Sequence, residues 1–192
     1  MDKKEIISLF KKTGVIEKGH FELSSGKHAD TYLQCAKILQ YPQYTKKLAK
    51  EIAKLWIDAD IDLIVGPAIG GIVIAYAVGD IMNVRNIFSE RKEGKMKFRR
   101  SLEVKEDEKV LIVEDVVTTG GSVKEVIELV EKSGAEIVGI SALVDRSSGE
   151  AELNYPFKPL VKLNVEAFEV ENCELCQKNV PINKPGSKNI KS

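Results

Sequence analysis

The sequence has little of the features that mark several special classes of protein. Its 29 basic and 29 acidic residues cancel across 192 residues, whereas nucleic-acid-binding domains usually carry a clear basic excess. The three cysteines are too few, and odd in number, for the disulfide framework of a small secreted domain. We therefore expect a reduced, cytoplasmic protein without a nucleic-acid partner, whose 43% of hydrophobic residues suffices for an ordinary core.

Long apolar runs are also scarce. The longest uncharged run covers residues 63–79, and Gly66, Pro67, Gly70 and Gly71 interrupt its first half. A membrane-spanning helix needs about 20 apolar residues, so a buried strand, a glycine turn and a buried helix explain this run better. The amino-terminal stretch MDKKEIISLFKK carries charges throughout, unlike the apolar core of a secretory signal. We expect neither a membrane span nor a secretory signal.

What the sequence does contain is an alternation of strands and helices. Apolar spacing and turn residues predict helices over 3–12, from Pro42 onward, over 71–82 and over 121–132, and strands over 62–65, 85–89, 110–113 and 137–144. This alternation predicts an α/β fold with a mostly parallel sheet and right-handed crossovers. The length suits one domain, over 1–165, and residues 166–192, richer in Asn, Lys and Pro, are predicted to form a C-terminal appendage.

The most informative stretch is VLIVEDVVTTGGS, residues 110–122. Four apolar residues lead into Glu114 and Asp115, and a loop rich in threonine and glycine then enters a helix. Ligands of open α/β sheets bind at the carboxyl ends of strands. Gly120 and Gly121 let the backbone approach an anion, and the start of the helix adds the positive end of its dipole. The pattern predicts a phosphate-binding loop.

The two carboxylates ahead of this loop favour a ligand with hydroxyl groups or a hydrated metal ion. A ribose 5-phosphate unit carries a dianion at one end and hydroxyls at the other, so it fits the carboxylates and the loop together. The loop lacks the Gly-Lys-Ser/Thr ending of a Walker loop, and it is not a GxGxxG fingerprint. The alternative is an ordinary strand-to-helix turn with capping residues.

Residues 110–122 resemble the signature with which type I phosphoribosyltransferases bind 5-phosphoribosyl 1-diphosphate (PRPP). Three more stretches resemble the orotate branch of that family. FELSSGKHADTYLQ, residues 21–34, is similar to the F-x-L-x-S-G segment that forms a hood over the base. ERKEGKMK, residues 90–97, is similar to the R-K-E-x-K-x-H stretch of the mobile catalytic loop, and VDRSSG, residues 144–149, is similar to the D-R segment whose arginine contacts orotate. The resemblance spans roughly residues 14–150.

This resemblance implies a type I phosphoribosyltransferase fold, with a central mostly parallel sheet flanked by helices. A small N-terminal hood would come from about residues 14–40. It implies the formation of orotidine 5'-monophosphate and diphosphate from orotate and PRPP, a step of de novo pyrimidine biosynthesis. Two alternatives stay open: transfer to a purine or another base, and a regulator that binds PRPP without turnover.

The resemblance also implies partners for the reaction. Mg²⁺ would be bound mainly through the diphosphate of PRPP, because this ion keeps much of its water and takes few protein ligands; no dedicated metal site is expected from the chain. A homodimer is implied, in which the loop over 91–100 is shared across subunits. No membrane or nucleic-acid partner is expected.

The two anionic groups involved, orotate and the departing diphosphate, each require cations that the sequence offers. Orotate is an anion, and Arg146 offers a planar pattern of donors to it; the alternative is a surface ion pair with Asp145 or Glu150. Six cations occur within ten positions around the predicted flexible point Gly94, namely Arg91, Lys92, Lys95, Lys97, Arg99 and Arg100. They suit a lid that closes on the departing diphosphate, and the alternative is a solvated loop.

The predicted site residues follow from these matches. Lys95 and Asp115 are the predicted catalytic residues, and Thr118 and Arg146 the predicted orotate-binding ones. The predicted PRPP-binding residues are Arg91, Lys92, Lys95, Lys97, Glu114, Asp115, Val116, Val117, Thr118, Thr119, Gly120, Gly121 and Ser122. The glycine turn over 66–71 matches the diphosphate-binding loop of the family.

Four positions, in three stretches, depart from the family pattern. Ser24 stands where a lysine is common, Lys97 where the mobile loop often has histidine, and Ile69-Gly70 where a Tyr-Lys pair is common. Several cations are therefore moved or missing. We expect Lys95 to be the most important lysine of the loop.

The last feature is the CxxC pair Cys173 and Cys176. The pair supplies two of the four ligands of a structural zinc, no histidine lies nearby in the sequence, and Cys35 is a third ligand only through long-range folding. Free thiols are the favoured interpretation, with a tail disulfide and a shared metal as alternatives. His20 and His28 are predicted to be structural or surface groups of the hood, with contact between His28 and a ligand as the alternative.

Overall fold

A computed structural model describes residues 1–23 and 25–185. The helices are α1 Lys3–Thr13, α2 Ala36–Leu39, α3 Pro42–Leu55, α4 Gly70–Met82, α5 Gly121–Lys132 and α6 Glu174–Gln177, with a 3₁₀ turn at Val170–Asn172. The strands are β1 Ile16–Glu22, β2 His28–Leu33, β3 Leu63–Pro67, β4 Arg85–Lys92, β5 Lys95–Phe98, β6 Lys109–Val117, β7 Glu136–Asp145, β8 Phe157–Lys162 and β9 Ala167–Phe168. None of these helices is both long and apolar enough to cross a bilayer.

The larger sheet has the strand order β5-β4-β3-β6-β7-β8. Strands β4, β3, β6, β7 and β8 pair in parallel, and only the edge strand β5 is antiparallel to its neighbour. The predicted α/β fold with a mostly parallel sheet is therefore confirmed. Because parallel strands end at the same edge of a sheet, the segments that follow β3, β6 and β7 lie side by side.

Helices cover both faces of this sheet, as the apolar strands predict. Every residue of β3 is buried, and alternate side chains enter different clusters. Ile64 belongs to the cluster that includes side chains of α1, α3 and α4, whereas Leu63 and Val65 belong to the cluster that includes Val123, Val126 and other residues of α5. The two faces of the sheet are thus filled separately, and its carboxyl edge remains available for ligands.

Most predicted helix boundaries are confirmed by their caps. Asp2 and Glu5 form a capping box at the start of α1, and Gly14 ends this helix with φ of 73°, a backbone conformation that suits glycine. Pro42 is the first residue of α3, where its missing N–H has no intrahelical partner to lose. Helix α5 covers the predicted 121–132.

Strand β6 is longer than predicted. The sequence predicts its end at residue 113, but Glu114 to Val117 continue the pairing with β7, with Glu114 opposite Ala142 and Val117 opposite Asp145. The reason is that β7 also extends to Asp145 and offers backbone partners throughout. The two carboxylates therefore lie within a strand rather than in the loop after it.

The basic stretch over 91–100 also differs from the predicted loop. Its first part is a hairpin in which β4 and β5 pair and Glu93-Gly94 make the turn, with φ of 54° and 79°. Such paired positive φ values fit a tight two-residue turn. The short edge strands β5 and β8 were not predicted.

A second, three-stranded sheet forms the predicted hood. Its order is β1-β2-β9, and both pairings are antiparallel. Strand β9 belongs to the C-terminal segment, which also pairs with β1 because Asn183 N–H donates to the carbonyl of His20 at 2.8 Å. Ser24, one of the departures from the family pattern, lies outside the described residues, as do residues 186–192.

Candidate active site

The carboxyl end of β6 places two acidic side chains against the glycine turn that follows β3. Glu114 is buried, at 7% exposure, and its Oε1 accepts from the N–H of Asp115 at 3.0 Å. A Cβ added to Gly70 would overlap the Asp115 carboxylate, and one added to Gly71 would lie 2.9 Å from Glu114 Oε1. Only glycine permits this approach, so the Gly70 departure from the family pattern is matched by tight packing against Asp115.

These two carboxylates have little access to water. Burial raises the pKa of Glu114 well above its ordinary value, and the neighbouring Asp115 adds to this effect. Burial also raises the pKa of Asp115. Among the described residues neither forms a salt bridge. Groups of this kind gain from a ligand that brings hydroxyl donors or a cation.

The residues after β6 leave backbone donors at the start of α5. Gly120 precedes the helix with φ of 77° and provides no side-chain cap. Lys124 N–H donates to the Gly120 carbonyl at 2.8 Å as the first helical bond, so the N–H groups of Gly121, Ser122 and Val123 have no intrahelical acceptor. These donors and the helix dipole give the loop over 118–122, the predicted anion-binding loop, a geometry suited to an anion.

Arg146 follows β7 directly beside this loop. Its N–H donates to the carbonyl of Val117 at 2.8 Å, which fixes it next to the end of β6. The ion pair weighed as an alternative is not found in the described part of the chain, and Asp145 Oδ1 instead accepts from the N–H and hydroxyl of Ser147 at 2.9 and 2.6 Å. Burial lowers the pKa of Arg146, an effect that Tyr32 of the hood opposes. The guanidinium therefore lies within electrostatic reach of the hood.

The basic hairpin packs on α5, the helix that begins at the anion-binding loop. Arg91 forms a two-pronged ion pair with Glu125, at 2.7 and 3.1 Å, and Met96 N–H donates to the same carboxylate at 2.8 Å. Of the remaining cations, Lys97 pairs with Glu93 at 3.0 Å, and Arg99 and Arg100 share Glu90 at 3.3 and 3.1 Å.

Two lysines of the hairpin lack such partners. Lys92 and Lys95 are exposed and face each other across the strand pair, and within residues 1–23 and 25–185 no salt bridge involves either. Like charges directly opposite each other repel, so an anion placed between or beside them would be favoured.

The structure thus brings together the predicted residues of the β6 end, the glycine turn over 66–71 and Arg146, because three parallel strands end there. It does not bring the hairpin lysines into contact with the carboxylates. Sequence reasoning missed Tyr32, which acts to raise the pKa of Arg146 against the effect of burial, and Cys35, whose Sγ lies 3.9 Å from the carbonyl oxygen of Asp115. Both depend on how the hood folds over the sheet, for which the sequence has no local signal.

Comparison with known proteins agrees with this geometry. The family model for the phosphoribosyl transferase domain matches residues 35–174. The chain is 53% identical over 188 residues to an orotate phosphoribosyltransferase of a Thermoanaerobacter species, covering 98% of this chain and 99% of that one. It is 46% identical over 186 residues to the orotate phosphoribosyltransferase of Thermotoga maritima, covering 97% and 100% of the two chains.

The fold agrees as well. The structure of Mycobacterium tuberculosis orotate phosphoribosyltransferase in complex with inorganic phosphate matches with a TM-score of 0.67 at 27% identity, over 84% of this chain and 96% of that chain. The similarity in sequence extends over nearly the whole chain, and the similarity in structure covers most of it. The chain therefore belongs to the orotate phosphoribosyltransferase family.

Proposed function

We propose that this protein forms orotidine 5'-monophosphate and diphosphate from orotate and PRPP. The observation that carries the proposal is the end of β6, where the buried Glu114 and the partly buried Asp115, both without a cation partner among the described residues, precede the loop that leads into an uncapped helix N-terminus. A phosphoribosyl group has hydroxyls that can donate to the carboxylates and a phosphate dianion that can bind at the helix N-terminus. The full-length similarity to orotate phosphoribosyltransferases selects orotate as the acceptor.

In this proposal the sugar phosphate binds along β6 and α5. The 5-phosphate accepts hydrogen bonds from the backbone N–H groups at the start of α5 and from the hydroxyls of Thr118, Thr119 and Ser122. The ribose 2- and 3-hydroxyls donate to Glu114 and Asp115. The strand segment through Val116 and Val117 sets the distance between the two ends.

The reaction forms a bond from a ring nitrogen of orotate to the anomeric carbon of the ribose and breaks the bond from that carbon to diphosphate. The nitrogen loses its proton to water or to the departing diphosphate. Diphosphate leaves with the bonding electron pair, so cations that gather on it lower the barrier. Lys95, with Lys92 opposite it, is the proposed catalytic cation, and Asp115 is proposed to stabilise the positive charge that develops on the ribose. Arg91 and Lys97 would join after exchanging their present carboxylate partners for the diphosphate.

A magnesium ion fits this site as part of the substrate. The carboxylates at the end of β6 have no cation partner among the described residues, and carboxylate oxygens suit the hydrated ion. Asp115, which is less deeply buried than Glu114, is the residue proposed to contact its water shell. When bound, Mg²⁺ would neutralise charge on the diphosphate.

Orotate is proposed to bind between the sheet edge and the hood. Arg146 is half-buried and free of a carboxylate partner in the described part of the chain, which suits an anionic base better than a neutral one. Thr118 adds a hydroxyl on the same side of the site. We expect Arg146→Ala to raise KM for orotate by about 10- to 100-fold, the value of a charged hydrogen bond or two, with a smaller change in KM for PRPP.

Two variants sharpen that measurement. Arg146→Lys keeps the charge but loses the planar pair of donors, so only part of the affinity should return. Lys162→Ala removes a neighbouring exposed cation, 3.9 Å from Asp145, and should leave both KM values within about twofold. Equal effects of Arg146→Ala and Lys162→Ala would contradict a specific contact with orotate.

The proposed working unit is a cytoplasmic homodimer in which the hairpin over 91–100 reaches the neighbouring site. The exposed lysines at the tip of the hairpin support this arrangement, since they do not contact the carboxylates of their own chain. Mixing inactive Lys95→Ala and Asp115→Asn proteins should then restore roughly a quarter of wild-type turnover through mixed dimers. No recovery after verified subunit exchange would show that each hairpin serves its own site.

The direct test of the function is the fall in orotate absorbance on adding PRPP and Mg²⁺, with a control lacking the metal. Uracil, hypoxanthine, xanthine and adenine are tested in parallel as acceptors. Consumption of orotate supports the proposal. Transfer only to another base would place the chain with a different acceptor, and PRPP binding without any product would make it a regulator.

A further inference from the structure

A cluster of two histidines and two cysteines lies outside the site described above. His20 is on β1 and His28 on β2 of the hood, whereas Cys173 directly precedes α6 and Cys176 lies within it. One nitrogen or sulfur atom of each residue lies within 4.8 Å of the others. His20, His28 and Cys173 are buried, and Cys176 is partly buried. Four atoms of this kind converge although the cysteines follow the histidines by about 150 residues in the chain.

The separations of these atoms match a tetrahedral metal site. His20 Nε2 lies 3.0 Å from His28 Nδ1, 3.5 Å from Cys173 Sγ and 3.7 Å from Cys176 Sγ, and Cys176 Sγ lies 3.2 Å from His28 Nδ1. Zinc bonds of about 2.3 Å to sulfur and about 2.0–2.1 Å to nitrogen, at tetrahedral angles, place nitrogen and sulfur ligands about 3.5–3.6 Å apart. The cluster needs only small adjustments to hold one ion at its centre.

A backbone group orients one of the histidines for this role. His20 Nδ1 lies 2.8 Å from the carbonyl oxygen of Val180. A carbonyl only accepts, so Nδ1 carries the proton and Nε2 presents its lone pair to the cluster. An imidazole N–H held in this way is the usual outer contact of a metal-bound histidine. Val180 belongs to the same C-terminal segment as the two cysteines.

The C-terminal segment has almost no core of its own. Within the described residues 166–185, Cys173 is the only buried one, and β9 contributes two pairs of residues to the hood sheet. A segment that buries so little apolar surface needs another source of stability, and metals commonly supply it in small folded units. The four side chains join this segment to both strands of the hood hairpin at one point.

We propose that His20, His28, Cys173 and Cys176 bind one structural Zn²⁺ that fastens the C-terminal segment to the hood. Two thiolates and two imidazoles are ligands that favour zinc in a closed, four-coordinate site. All four positions come from the protein, so the site has a structural role. No histidine lies near the CxxC pair in the sequence, but the folded chain brings His20 and His28 to it, so the proposal takes the shared metal in preference to free thiols. Cys35 lies at the carbonyl of Asp115 instead.

The first test is the metal content of protein purified with a reductant after growth with added zinc. We expect about one zinc per chain in the wild type and traces in Cys173→Ser and Cys176→Ser. Cys35→Ser is the matched control, a buried cysteine outside the cluster, and should keep its zinc. Substitution with Co²⁺ should give the intense visible bands of a tetrahedral ion and a thiolate charge-transfer band, both lost in the two cluster variants.

A second measurement uses only the wild-type protein and therefore does not depend on whether the variants fold. Treating the wild-type protein with a zinc chelator should lower its thermal midpoint and speed proteolysis within residues 166–185 on the order of tenfold, and added Zn²⁺ should reverse both changes. The proposal is overturned if zinc-reconstituted wild-type protein holds no metal above background. It is also overturned if Cys35→Ser loses metal as fully as Cys173→Ser, or if a disulfide between Cys173 and Cys176 persists in the reduced preparation.

Discussion

The end of β6 and the basic hairpin, two regions proposed to meet on the same substrate, hold their charges in opposite ways. The carboxylates of Glu114 and Asp115 are withdrawn from water without a cation partner among the described residues, and their pKa values are raised. The cations of the β4–β5 hairpin lie in water, and most are paired with glutamates such as Glu125 and Glu90. The charges at the end of β6 are thus largely removed from water, whereas those of the hairpin are exposed and most already have a counter-charge.

This difference indicates how each region responds to a ligand. The carboxylates gain from every hydroxyl donor or cation that arrives, because in the described chain they accept from the backbone N–H groups of Asp115 and Val116 but have no cation partner. The paired cations of the hairpin gain little, since they must give up one carboxylate to reach another anion in water. Binding energy should therefore concentrate at the β6 end and at the unpaired lysines.

The largest effect is expected at Asp115. Asp115→Asn keeps the shape that fits against Gly70 but removes the charge proposed to stabilise the developing positive charge on the ribose. We expect kcat to fall on the order of 10³-fold, with the thermal midpoint unchanged or raised, since a desolvated charge is lost. Steady-state assays and thermal melts measure the two quantities.

Asp60→Asn is the control for this variant. Asp60 is exposed, pairs with Lys109 at 2.7 Å, and lies at the opposite edge of the sheet, where β3 and β6 begin. It should stay within about twofold of wild-type turnover. A similar loss of activity in both variants would show that the effect on Asp115 is not local.

Within the hairpin, we expect an unpaired lysine to matter more for kcat than a lysine that is already paired with a glutamate. Lys95→Ala removes a cation without a salt bridge in the described structure and should lower kcat by about 10²-fold. Lys97→Ala removes a cation already bound to Glu93 at 3.0 Å and should lower it by only about three- to tenfold. The two variants are measured at saturating PRPP. Near-native turnover in Lys95→Ala would refute its assignment as the main catalytic cation.

The sequence predicts the sheet well because each of its elements carries a local signal. Buried apolar runs, Pro42 at a helix start and the glycine loop before α5 all act within a few residues. The edge strands escape prediction for physical reasons. Lys95–Phe98 alternates charges with apolar residues, and Phe157–Lys162 contains Pro159, which is tolerated only where a strand has a free edge.

The site residues also differ in whether a local sequence signal predicts them. Glu114, Asp115 and the anion-binding loop are predicted from one contiguous motif. The effect of Tyr32 on the pKa of Arg146, and the meeting of His20 with Cys176, arise when distant segments come together in the fold. A single sequence holds no periodicity or spacing that relates residues so far apart, so only the fold discloses them.

The smallest expected effect concerns stability and distinguishes two buried glutamates. The raised pKa of Glu114 means that the folded protein retains a proton that the unfolded chain loses above about pH 4.5. The free energy of unfolding therefore falls as pH rises through the raised pKa of Glu114. Glu114→Gln removes this slope and should raise the thermal midpoint at pH 8 by about 2–4 °C, equivalent to about 1 kcal/mol for a domain of this size.

Glu108 is the matched opposite case. Hydrogen bonds from Arg85, at 2.6 Å to each carboxylate oxygen, lower the pKa of Glu108. The stability that this group contributes is present above its ordinary pKa and is lost as pH falls through its lowered one. Glu108→Gln should therefore lower the midpoint at pH 8. If Glu114→Gln and Glu108→Gln shift the thermal midpoint in the same direction, the two glutamates do not differ in the way that their burial and pairing predict.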